Sequence, residues 1–194
     1  MAKVGLSQSF YAIYNYDAQE GAVSYSGGGI LGKAVEAAID LDGADPTVFH
    51  ANNGPAESAQ QFSGGTLTIT NDRLPLAPVA AVLGLEVGTI ATPEGTGLDF
   101  PADMNAPYVG YGTITKMIVD NVTVWRAIIL PKVQFNTPND SATTQGETIE
   151  FSGHELTATI MRNDATPSIW KKYGEFATEA NAIAWVKSFL QIAA

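Results

Sequence analysis

"TKMIVDNVTVWRAIILPKVQF", residues 115–135, decides how the rest of the chain is read. Two runs rich in β-branched and apolar side chains meet at Asp120-Asn121, and both residue types tolerate the left-handed backbone of a two-residue hairpin turn. The pattern predicts two antiparallel strands. Pro131 lacks an N–H donor, so it limits where the second strand can pair centrally.

The same habit extends outward. "SFYAIYNY" puts Phe10, Ala12, Tyr14 and Tyr16 on one face, with Tyr11 and Ile13 on the other. "GGTLTIT" alternates Thr66, Thr68 and Thr70 with Leu67 and Ile69, the signature of a half-buried strand with one wet face. "ETIEF" and "ELTATIM" read as two more strands around the Ser152-Gly153 break. The 19 Gly and 10 Pro that punctuate these runs suit antiparallel structure. Helices are few. Leu76, Val79, Ala80 and Leu83 hold helical spacing before a stop at Gly84. Residues 177–192 form a stronger candidate, capped by Thr178, with Ile183, Val186 and Leu190 in one stripe widened by Trp185 and Phe189. Asn181, Ser188 and Gln191 fall on its other side. Residues 42–64 and 92–107 read as long polar loops, which in a compact domain are functional, disordered or part of an interface. The expected fold is mainly β.

The 194 residues suit one substantial domain. A formal charge of -10 disfavours gripping a phosphate backbone. There are no cysteines, hence no disulfides or thiolate metal sites. No apolar run is long enough to span a bilayer, and the N-terminus lacks the pattern of a cleaved signal, so a soluble chain with no membrane partner is expected.

The motifs that carry chemistry fail on inspection. Gly27, Gly32 and Lys33 stand at the P-loop spacing, but Ala34 occupies the position where Ser or Thr holds Mg²⁺. The mechanism also needs a helix after the lysine. Beyond Ala34, alanine content favours helix, whereas alternation of Val35, Ala37, Ile39 and Leu41 with Glu36, Ala38, Asp40 and Asp42 favours strand. We expect "GGGILGK" to be a glycine-rich bend leading into a strand. "DLDGAD" lacks the spacing of a Ca²⁺ loop. His50 and His154 stand far apart with no partner motif. No G-x-S-x-G elbow is present. Tyr11, Tyr14 and Tyr16 could stack bases or sugars, but they come without basic partners, which favours packing. No enzyme and no cofactor are expected.

Several segments follow one another in a telling order: "VGLSQSFYAIYN", "LGKAVEAAIDL", "HANNGPAESAQQFSGGTLTITNDRL", "VAAVLGLE", "APYVGYGTI" and "WRAIILPKVQFNTPNDSATTQGETIEFSGHELTATI". In that order the chain resembles the major tail protein of long-tailed, non-contractile bacteriophages, over roughly residues 4–161. The resemblance implies a tail-tube-type β-sandwich or half-barrel with a flanking helix and a C-terminal helix. It implies hexameric rings that stack into a tube around a tape-measure protein and meet tail-terminator and tail-tip proteins. Genomic DNA would pass through the lumen without specific binding. The location implied is the virion tail, assembled in the host cytoplasm.

On this reading Glu36, Asp40 and Asp42 are candidate lumen-facing carboxylates, with Val35, Ala37, Ile39 and Leu41 packed on the core. Residues 45–61, with Asp45, Phe49, His50, Asn53 and Glu57, are the candidate arm toward a neighbouring subunit or ring. Residues 1–9 are a second candidate arm. The alternative is a monomeric or trimeric β-sandwich on a virion or cell surface that binds a glycan or receptor through the tyrosines and polar loops.

Overall fold

The computed structural model describes residues 2–42, 47–51, 54–59, 62–91, 94–138 and 154–193; for residues 2–3, 47–51 and 54–59 the description is of the backbone. The decisive segment folds as expected. β8 (Tyr108–Val119) and β9 (Val122–Phe135) pair antiparallel across a two-residue turn with Asp120 at φ +50° and Asn121 at φ +63°.

In chain order, the strands that precede them are β1 (Ala2–Asp17), β2 (Ala22–Leu41), β3 (Thr47–Ala51), β4 (Gly54–Ala59), β5 (Gly65–Asn71), β6 (Val87–Ala91) and β7 (Glu94–Leu98). β10 (His154–Met161) and β11 (Lys172–Phe176) follow. The large sheet runs β10-β5-β2-β1-β8-β9-β11, and β10 also pairs with β9. That extra pairing corrects the expected sandwich or half-barrel: six strands close into a barrel, with β11 added outside it.

Pro131 explains how one strand serves two partners. On one side β9 pairs with β11 through residues 125–129 and with β10 through residues 132–135. On the other side its register with β8 shifts between Val109 and Tyr111. Pro131, buried, falls where both ladders are interrupted, so its missing N–H leaves no ladder bond unmade.

Closure buries both faces of β1, which accounts for its apolar character on either side. Tyr11 points into the barrel with Leu31, Leu67, Ile69, Tyr111, Leu130 and Val133. Phe10, Ala12 and Tyr14 lie outside it, beneath α2 (Glu179–Phe189), with Ile114, Ala127, Ile129, Val186 and Leu190. α2 begins as expected: Thr178 accepts the Asn181 N–H on its side chain, and Glu179 stands in the first turn. Full burial of Val186 and Leu190 contributes about 1.5–3 kcal/mol each. α1 (Leu76–Leu83) ends on Gly84 at φ +70° and gives Val79, Val82 and Leu83 to the barrel interior. Among the described residues no helix is long and apolar enough to cross a membrane.

Three expectations change. The glycine-rich segment lies inside β2 and not before it: residues 27 and 28 oppose Ala12 alone, a bulge that Gly27 accommodates at φ +57°. The chain beyond Lys33 continues as strand, and the Lys33 N–H donates to Asp72 Oδ1 at 3.2 Å, so the helix of a phosphate loop is not there. Residues 2–9, read as a candidate arm, are the first half of β1 and pair with β8. The two polar stretches contain hairpins, β3–β4 and β6–β7.

Candidate assembly surface

The outward face of β2, β5 and β10 is set by register. Directly paired residues share a face, which gives three rows: Glu36–Thr70–Glu155, Ala38–Thr68–Thr157 and Asp40–Thr66–Thr159. Leu67, Ile69, Leu156 and Ala158 alternate with them and fill the barrel. The face therefore carries hydroxyls and carboxylates and, within these rows, no lysine or arginine. Thr66, Thr159 and all three carboxylates are exposed. Such a surface is wet and negative, and it repels phosphate without offering it a donor cluster.

Glu36, Asp40 and Asp42, the candidate lumen-facing carboxylates, are all exposed. At Asp42 the backbone joins the start of β5: its N–H donates to the Gly64 carbonyl at 3.1 Å and its carbonyl accepts from Ser63 Oγ at 2.9 Å. Ala37 and Ile39 pack on the interior as expected. Val35 and Leu41 do not, being 61% and 51% exposed. The register shifts between Ala34 and Glu36, which makes Val35 the extra residue of a bulge. Leu41 is the last residue of β2 and faces Gly65, which has no side chain to cover it.

Of the candidate arm residues, Phe49, His50 and Glu57 lie on the β3–β4 hairpin, where Phe49 pairs with Glu57 and His50 with Pro55. Asp45 and Asn53 lie outside the described residues. The run "TVFHA" followed by Asn-Asn-Gly is the signal that marks this hairpin in the sequence. β6–β7 exposes Val87 and Ile90, and Phe100 just beyond it is exposed as well.

A polar network missed from the sequence ties three distant segments. Tyr14, Asp164 and Lys132 meet where β1, β9 and the turn after β10 converge, and the Lys132 Nζ lies 4.4 Å from the Tyr108 ring centre. Burial raises the Tyr14 hydroxyl to about 12. The hydrogen bond from Lys132 holds the Asp164 carboxyl below its ordinary value. Beside it opens a cavity of about 430 Å³ whose wall includes Phe62, stacked on Trp170 at 4.6 Å and 2°. Its polar groups hold the turn together: Asn163 Oδ1 accepts the Ile169 N–H and Ser168 Oγ donates to the Asn163 carbonyl, both at 2.7 Å. Of the tyrosines weighed as a stacking platform, Tyr11 and Tyr14 are buried and Tyr16 is 44% exposed. His154 opens β10 on the surface, and among the described residues no group of three His, Asp or Glu is placed to hold a metal.

No protein-family model matches the chain, and no curated protein matches it.

Proposed function

We propose that the chain is a structural subunit that self-assembles into stacked hexameric rings, the tail tube of a long-tailed, non-contractile bacteriophage. The observation that carries this reading is the three rows of threonines and carboxylates across β2, β5 and β10, which hold no lysine or arginine. A conduit for DNA must let a polyanion slide, and a hydrated acidic lining lowers its affinity for phosphate. The order of segments that resembles major tail proteins supports the same conclusion and supplies the tail-tube type of fold. On this reading Glu36, Asp40 and Asp42 face the lumen, and the β3–β4 hairpin reaches the next subunit or ring. The tape-measure, tail-terminator and tail-tip proteins are its partners, and its role is structural, not catalytic.

The test is electron microscopy of the purified chain, alone, concentrated, and mixed with a purified tail-tip complex. Hollow tubes with sixfold end-on symmetry are expected. Compact particles that no tail-tip complex converts into tubes would sink the reading.

A further inference from the structure

Among the described residues, one long strand edge of the barrel has no strand beside it. β2 takes β5 as its neighbour from residue 34 onward and Lys33 is bonded to Asp72, so among the described residues positions 22–32 have no ladder partner on that side. The end of α2 lies over this edge. Gln191 Oε1 accepts the Tyr25 N–H at 2.9 Å, and the Phe189 ring packs against the Tyr25 ring at 5.7 Å. Ile192 fills the space that a side chain on Gly28 would need, since an added Cβ there would stand 2.6 Å from its Cγ1. Gln191 was expected on the solvated side of its helix. Instead it reaches across to another element.

The manner in which α2 ends makes this contact more than incidental. Gln191 adopts φ +52°, a left-handed conformation that glycine takes without strain and glutamine does not. The Ile192 N–H closes back on the Lys187 carbonyl at 2.9 Å. α1 ends on a glycine at the matching position. What glutamine offers that glycine cannot is an amide at the β2 edge. Alongside lies a cleft of about 580 Å³, lined by Val23, Tyr25, Thr166, Lys172 and Gln191 among others.

We propose that residues 189–192 form a latch on the β2 edge. Closed, it satisfies the Tyr25 N–H through Gln191. Lifted, it frees the edge at residues 22–32 to pair with an extended strand from a second copy of the chain. The cleft fits such an occupant, because it brings Lys171 and Lys172 together on a chain whose net charge is -10, and an acidic strand of another copy complements them. The inference rests on the self-assembly reading above.

Two variants of the full chain test it. Gln191→Gly removes the amide and relieves the left-handed backbone, so the fold is retained. Gln191→Asn tolerates the backbone but leaves the amide one methylene short. Tyr25 amide exchange is followed by NMR in dilute protein, and assembly by light scattering and electron microscopy on concentration. In both variants Tyr25 should exchange about fivefold faster or more, and assembly should begin at a concentration lowered by about the same factor. Unchanged Tyr25 exchange overturns the latch. Faster exchange with assembly at the wild-type concentration overturns its gating role and leaves the self-assembly reading standing. If neither wild type nor variants assemble at any concentration, with or without the tail-tip complex, that reading falls and the gate falls with it.

Discussion

Tyr14 and Asp164 hold each other through two hydrogen bonds: Tyr14 Oη donates to Asp164 Oδ2 at 2.8 Å, and the Asp164 N–H donates back to the same hydroxyl at 2.9 Å. Lys132 Nζ reaches the same carboxylate oxygen at 2.7 Å. Because the carboxyl is held below its ordinary value when folded, its contribution is present above its unfolded value of 3.8 and fades as pH falls through the folded one. Wild type should therefore be more stable than Asp164→Asn near neutrality, and the gap should close below about pH 4. Denaturant melts across pH check this; a gap that persists unchanged in acid would count against the network.

The alkaline limb has the opposite sign. Burial raises Tyr14 and Tyr111 to about 12 and pushes Tyr11 and Tyr25 upward, so each resists ionisation while the chain is folded. Their contribution is complete below about 10 and is lost as pH rises through the folded values. Tyrosinate absorbance and circular dichroism should show these four ionising together with loss of structure between about pH 10 and 12. Ionisation of all four with the fold intact would refute this.

Gly110 and Gly112 set how closely α2 lies on the barrel. An added Cβ on Gly112 would stand 2.5 Å from Val186 Cγ1, and one on Gly110 would stand 2.6 Å from Leu190 Cδ2. Gly112→Ala should destabilise the protein by about 1–3 kcal/mol, mainly by displacing the helix. Thermal unfolding followed by tryptophan fluorescence, with Trp185 on α2, reads both effects. A wild-type melting temperature would show that the helix shifts freely.

At the β8–β9 turn, Asp120 and Asn121 both have positive φ. Asn121→Gly should be neutral or stabilising by up to about 1 kcal/mol, while Asp120→Val should destabilise by about 1–2 kcal/mol. Equal effects of the two would mean the turn conformation is not what fixes this hairpin.

The acidic face makes its own prediction. Glu36→Lys with Asp40→Lys should leave the melting temperature nearly unchanged, since both side chains are exposed. The pair should confer salt-sensitive retardation of duplex DNA in a gel, which wild type should lack. No retardation at low salt would show that the face does not govern contact with DNA.

Much of this architecture was legible because alternation has a period of two. The faces of residues 10–14 and 66–70 and the turn at Asp120 all follow from local chemistry. Barrel closure was not legible, because it depends on residues 132–135 meeting residues 158–161, a pairing no local pattern encodes. A bulge defeated the alternation at Val35, where one unpaired residue resets the faces beyond it. The hairpins within the polar stretches were obscured by their glycines and prolines. Gln191 was misplaced because helical periodicity ends where its backbone turns left-handed.

The position of Pro131 has a mechanical consequence. Among the described residues, β9 is the strand that both carries the β11 and α2 side and closes onto β10, and its register is fixed around a residue that cannot slide to a new ladder bond. A load applied to the helix-covered side therefore cannot be relieved by slippage along β9. Part of it passes through that strand as a spar into the threonine-bearing side.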